Sequence, residues 1–224
     1  IVLVVDNSYS MRQRKAIKPL LAALDEFFDS LRPIDNVSIV VFSTKTGMDV
    51  KPYWLHTKAT RSQSSAELKQ FLRHAFDEGL TSTTFLYEAM VAGLSLIREM
   101  PPEDNKFLVV FSDGEDLNSN FKSDVVKSEA HGIRNLEVFA VDYMPRSKMD
   151  KFLKSFVEKH DGQIWKAQSA SELLPIFQSF STTLLHRYVV NYRFYEPPSG
   201  SLSLEPAQLN FDMLTLLDGS PVLN

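Results

Sequence analysis

Two rhythms of apolar residues alternate along this chain. Ile1 to Val5 is an unbroken apolar run, and Val37 to Phe42, Phe107 to Phe111 and Leu136 to Val141 repeat the pattern. Runs of this length without a polar face predict strands buried on both sides, and Gln163 to Lys166 adds a shorter one. Between these runs the spacing changes to three and four. Ile17, Leu20, Leu21, Leu24, Phe27, Phe28 and Leu31 mark a long amphipathic helix ended by Pro33. Ser64 and Glu67 form a capping-box pattern ahead of a helix with Leu68, Phe71, Leu72, Ala75 and Phe76 on one face, closed by Gly79.

A further helix is expected from near Phe85, with Leu86, Met90, Leu94 and Ile97 inward, stopping before Pro101-Pro102. Ser123 to His131 predicts a shorter helix before Gly132, and Met149, Phe152, Leu153, Phe156 and Val157 mark the next. The last runs from about Ser171 to His186, where Pro175 is awkward unless it lies in the first turn. Strands alternating with helices predict an α/β fold, a doubly wound and mostly parallel sheet flanked by helices. Tyr188 to Phe194 alternates like a trailing edge strand, and Pro197-Pro198-Ser199-Gly200 reads as a linker. The expected domain is therefore 1–196, a core over 1–186 plus a strand over 188–195. Residues 197–224 are then a linker and the start of a following region.

Composition narrows the function classes. Hydrophobic residues make up 44% and charged residues 23% of 224, an ordinary balance for a globular fold. No apolar stretch approaches the ~20 residues of a membrane-crossing helix. The net charge is -4 with the basic residues scattered, which argues against nucleic acid as a partner. The absence of cysteine removes disulfides, thiolate metal sites and cysteine nucleophiles. His56, His74, His131, His160 and His186 show no ligand spacing.

Three polar clusters fall at the carboxyl ends of predicted strands, where open parallel sheets bind their ligands. Asp6, Ser8 and Ser10 follow the first strand. Asp113 follows Phe107 to Phe111, and Thr84 precedes the helix near Phe85. Two carboxylates and three hydroxyls are hard oxygen donors, suited to Mg²⁺, Ca²⁺ or Mn²⁺. If hydroxyls make most of the direct bonds, the cation stays electrophilic and accepts a carboxylate from outside. Each residue also has a plainer reading: an aspartate after a strand is more often a helix cap, and Asp142, Glu115 and Asp116 read as turn or solvated loop charges.

These residues resemble the von Willebrand factor A-type (vWA) domain with its metal-ion-dependent adhesion site. The resemblance runs through Val4-Val5-Asp6-Asn7-Ser8-Tyr9-Ser10-Met11, Thr84-Phe85-Leu86-Tyr87-Glu88-Ala89 and Val109-Val110-Phe111-Ser112-Asp113-Gly114-Glu115, over about residues 1 to 186. It implies that Ser8 and Ser10 bind the metal directly, Thr84 directly or through water, and that Asp6 and Asp113 act mainly through water or by orienting the serines. It implies adhesion to an acidic residue of a protein partner, without catalysis. Tyr9 stands where the family usually has glycine, so an exposed Tyr9 is expected to contact the partner. Ser82-Thr83 replaces a glycine pair; Thr84 is chosen over Thr83 by its distance to Leu86 and Tyr87.

The resemblance extends to the bacterial-envelope members of the family. It implies a periplasmic or cell-surface location and a fusion to a cell-wall-anchoring domain. Two other functions stay open at this point. One is a phosphoryl-transfer or hydrolytic enzyme with Asp6 or Ser8 as nucleophile and Asp113 holding metal. Against it, no basic residue is seen to balance a phosphate, Arg14 and Lys15 being the nearest. The other is a scaffold in which metal merely stiffens the loops.

Overall fold

The first strand has no polar face to offer, and the chain builds outward from it. In the computed structural model, which describes residues 1–32, 34–44, 52–56, 64–77, 84–113, 119–143 and 151–185, Val2 to Val5 of β1 (Val2–Asp6) are at most 2% exposed. β1 pairs in parallel with β2 (Ser38–Thr44) on one side. On the other it pairs in parallel with β4 (Lys106–Ser112). The strand numbered between them, β3 (Pro52–His56), runs antiparallel along the outer side of β2. Beyond β4 lie β5 (Leu136–Tyr143) and β6 (Ile164–Ala167), both parallel, giving the order β3-β2-β1-β4-β5-β6.

Side-chain alternation splits the sheet into two cores. Leu3, Val5, Ile39, Val41, Val109, Phe111, Phe139 and Val141 face one side. They pack there against α2 (Ile17–Asp29), α3 (Ser65–Asp77) and α7 (Leu173–Leu185). Val2, Val4, Val40, Leu108, Val110, Val138 and Ala140 face the other side. Their partners are α4 (Leu86–Arg98), α5 (Ser123–Ala130) and α6 (Lys151–Lys159). The four central strands β2, β1, β4 and β5 thus bury both faces, which is why they read as continuous apolar runs.

The helices follow the expected punctuation. Ser64 and Glu67 exchange capping-box bonds, Glu67 Oε2 accepting from the Ser64 amide at 2.7 Å and Ser64 Oγ from the Glu67 amide at 3.3 Å. Gly132 takes a left-handed φ of 78° just past α5. Pro175 sits in the first turn of α7, after a 3₁₀ turn over Ala170–Glu172. α2 stops at Asp29, four residues before Pro33, where the Ser30 hydroxyl donates to the Phe27 carbonyl at 2.6 Å.

Two elements differ from the sequence reading. Tyr53 and Trp54, in a stretch for which no strand was predicted, belong to β3, with Trp54 opposite Phe42. Pro52 opens that strand, a position on an edge where a missing amide costs no ladder bond. A separate short helix, α1 (Tyr9–Gln13), precedes α2, and Lys15 at φ 56° breaks the chain between them. The chain divides into Ile1–Arg187 and Tyr188–Asn224. The expected trailing strand over 188–195, the linker and the tail lie outside the described residues, as does Pro33.

Gly93 shows how closely α4 lies on the sheet. A Cβ there would stand 2.8 Å from Val4 Cγ2 and 3.0 Å from Leu108 Cδ1, both on buried strands. Alanine would gain ~1 kcal/mol of helix propensity, but overpacking a rigid core costs ~1–3 kcal/mol. Gly93→Ala should therefore lower the thermal midpoint by a few degrees, measured calorimetrically. A raised midpoint would show that α4 has room to lift.

Candidate functional site

The register of the central strands sets out the site. Val5 pairs with Phe111, so the next residues along, Asp6 and Ser112, stand side by side, and Ser112 pairs in turn with Asp142. This row crosses the carboxyl ends of three adjacent strands. It lies where the chain leaves β1 toward β2 on one side and returns to β4 on the other, the switch point where such sheets bind ligands. Asp6 is fully buried, and Ser112 Oγ donates to its Oδ2 at 2.9 Å.

The loop after β1 is fastened from below. The Asn7 amide continues the β-ladder to the Phe42 carbonyl at 3.0 Å. The buried Asn7 carboxamide donates to the carbonyls of Ala75 and Phe76 at the end of α3, both at 3.4 Å. Arg12 donates to Asn7 Oδ1 at 3.0 Å and also to the Phe76 carbonyl. The final carbonyls of a helix lack intrahelical partners, so one interaction set serves both the helix end and the loop.

Ser8 occupies the residue before α1, a position from which a serine hydroxyl ordinarily caps the helix. It makes no such bond. Its hydroxyl instead meets that of Ser10 at 2.9 Å, while its amide donates to Asp6 Oδ1 at 2.7 Å. Asp6 thus holds the loop's backbone and leaves the two hydroxyls paired with each other. Tyr9 between them is 51% exposed.

Asp113 is 8% exposed, one residue beyond β4. Its Oδ2 lies 3.4 Å from Arg14 Nη1, so a basic residue does stand at this site, contrary to the sequence reading. Thr84 is buried at the entry to α4, on the side of the sheet that Asp6 shares with Val2 and Val4. Among the described residues no hydrogen bond joins Thr84 to the others. The structure therefore brings Asp6, Ser8 and Ser10 together through direct contacts and Asp113 through its field on Asp6, and shows Thr84 only as buried at the start of its helix. Thr83, Glu115 and Asp116 lie outside the described residues.

Three further residues carry chemistry that the sequence did not reveal. Ser112 was read only as part of a motif, yet its hydroxyl is spent on Asp6. Asp142 was read as a turn residue; it lies inside β5, 1% exposed, and neither carboxylate oxygen has a hydrogen-bond partner among the described residues. Burial pushes its carboxyl up, opposed by Lys166 and Arg14 and reinforced by Asp113. Glu88, 3% exposed on α4, accepts from the Asn120 amide at 2.6 Å, and Ser119 Oγ accepts from the Tyr87 amide at 3.2 Å. Those bonds tie the stretch ahead of α5 to the helix that follows Thr84.

The electrostatics of the row are strained in one sense only. Burial, with Asp113 adding to it, pushes the Asp6 carboxyl up to about 7, against the pull of bonds from Ser8 and Ser112. Among the described residues no three His, Cys, Asp or Glu side chains converge to hold an ion, so a cation here needs hydroxyl donors. The donors present meet that need: the Ser8–Ser10 hydroxyl pair lies beside the buried Asp6 carboxyl, with which no cationic side chain among the described residues pairs. The set fits a hard divalent cation.

The von Willebrand factor type A domain model matches residues 1–179. The chain belongs to that family. No curated protein sequence matches this vWA domain. Solved structures do, at identities that speak for the fold alone. The pilus adhesin SpaC from Lactobacillus rhamnosus GG, in its open conformation, aligns at a TM-score of 0.61 and 15% identity over 81% of this chain and 29% of its own. The conserved hypothetical protein BatB from Bacteroides thetaiotaomicron aligns at 0.57 and 17%, over 81% and 96%. Proximal thread matrix protein 1 from the mussel byssus, with a zinc-occupied MIDAS motif, aligns at 0.55 and 15%, over 80% and 46%. The chain spans less than a third of the length of the pilus adhesin.

Asp6 gives a pH signature for the metal-free protein. Its folded-state carboxyl holds a proton more tightly than the unfolded one, about 7 against 3.8. The native state is thus favoured at low pH, and the contribution is lost as pH rises through that window, on the order of 4 kcal/mol in all. In EDTA, the wild-type midpoint relative to Asp6→Asn should fall between about pH 4 and 7 and level off above, and saturating Mg²⁺ should remove the fall. A difference that stays flat in EDTA would contradict this.

Proposed function

We propose that this vWA domain is a divalent-cation-dependent binding module that engages an acidic group of a protein partner, and that it is not an enzyme. The observation that carries the reading is the buried Asp6 carboxylate with the Ser8 and Ser10 hydroxyls turned to each other 2.9 Å apart. Ser8 and Ser10 hold Mg²⁺, Mn²⁺ or Ca²⁺ directly. Thr84 completes the shell, while Asp6 and Asp113 act through water and by fixing the serines. When bound, the cation supplies a Lewis-acidic position open to a carboxylate oxygen. Tyr9, exposed between the two serines, lies against the partner and reads its shape.

Catalysis of phosphoryl transfer would need a positive group available to the phosphate. Arg14 is engaged by Asp113 and by the Tyr143 carbonyl, and Asp6 is bound on both oxygens, by the Ser8 amide and the Ser112 hydroxyl. That supports binding over turnover. The likeness to a pilus adhesin supports a location at the cell surface or in the periplasm, and a join to a cell-wall-anchoring domain suits such a place. No helix among the described residues is long and apolar enough to cross a membrane.

Calorimetric titration with Mg²⁺, Mn²⁺ and Ca²⁺ should give one-to-one binding that the Asp6→Ala, Ser8→Ala double variant loses. A pull-down should recover a partner that EDTA releases. Equal binding by the double variant would overturn the reading. Metal that raises the midpoint while no partner is recovered would favour a stiffened scaffold instead.

A further inference from the structure

Arg14 stands at the site in a way the adhesion reading leaves unused. Its Nη1 is 3.4 Å from Asp113 Oδ2 and donates to the Tyr143 carbonyl at 3.0 Å. The Tyr143 hydroxyl returns a bond to the Arg14 carbonyl at 3.4 Å. Side chain and backbone are thus both held by the end of β5, and the Arg14 side chain is 12% exposed. A guanidinium cannot shed its proton at accessible pH. A fixed positive charge therefore sits against one of the two aspartates that a cation would have to share.

Resting on the proposed cation site, we propose that Arg14 is its resident counter-ion: it neutralises Asp113 when the site is empty and opposes an entering cation, so that it sets how tightly the ion is held. The empty site then carries two aspartates and one arginine, and filling it brings a double charge close to a guanidinium that has little room to retreat. Even at the dielectric of water, a unit charge about 6 Å from a divalent ion weakens its binding roughly tenfold.

The experiment compares wild type, Arg14→Gln, Arg14→Lys and Lys18→Gln, titrated with Mg²⁺ and Mn²⁺ at low salt. Lys18 is exposed on α2 and serves as a control for bulk charge. Arg14→Gln should bind both ions about tenfold more tightly, while Arg14→Lys and Lys18→Gln stay close to wild type. In wild type, the Arg14 Nε–H resonance should shift on adding Mg²⁺, a readout that needs no partner. Equal or weaker binding by Arg14→Gln, or equal tightening by Lys18→Gln, would overturn the role of Arg14 and leave the cation site standing. Failure of both wild type and Arg14→Gln to bind any ion would overturn the site as well.

Discussion

Everything at this site follows from the parallel pairing of β1 with β4. That register fixes Asp6 beside Ser112 and sets Asp113 one residue beyond, so two aspartates end neighbouring strands at the switch point of the sheet. The strands cannot slide to separate them, because every other residue of β1 is locked into one of two buried cores. Charge repulsion is thereby built into a rigid frame, and burial magnifies it at Asp6. The fold tolerates this through three supports: hydrogen bonds from Ser8 and Ser112 to Asp6, the Arg14 guanidinium at Asp113, and loop anchors from Asn7 and Arg12 to the end of α3. A divalent cation is the group that would relieve it most directly.

On the proposed reading, such an arrangement would link stability to binding. A cation arriving there would offset the cost of keeping the Asp6 carboxylate buried, so occupancy and firmness of the loops would rise together. Tyr9 marks the outward side of the same loop, half exposed between two hydroxyls whose distance the cation would govern. The bonds from α4 to Ser119 and Asn120 place the threonine-bearing entry and the chain beyond Asp113 on one support. An ion bound as proposed would therefore have a short physical route to the surface a partner would meet.

Much of this could be read from the residues. Continuous apolar runs announced the central strands, because a sheet covered on both faces leaves no polar positions to blur the pattern. The capping box at Ser64 and Glu67 and the glycine after α5 announced their helix ends through local chemistry. β3 was hidden because it is short, opens on proline and lies on an edge, where alternation is weak. Of the site, Asp6, Ser8, Ser10 and Asp113 stood out because they fall at or just past strand ends, and Thr84 because it stands just before a helix in a family-like motif. Arg14, Ser112, Asp142 and Glu88 did not. Their roles depend on which strands become neighbours: Arg14 meets Asp113 and Tyr143 across 99 and 129 residues of chain, a closeness no local pattern encodes. Asp142 looked like a turn residue because β5 runs two residues beyond its last aliphatic side chain, through Asp142 to Tyr143.

The central claim is that the serine pair, held by Asp6, binds a cation. Anomalous scattering from a crystal grown with Mn²⁺ tests it most directly. The account predicts a peak within bonding distance of both Ser8 Oγ and Ser10 Oγ, with the two hydroxyls no longer bonded to each other. A peak elsewhere in the domain, or none at saturating Mn²⁺ with the Ser8–Ser10 bond intact, would contradict it.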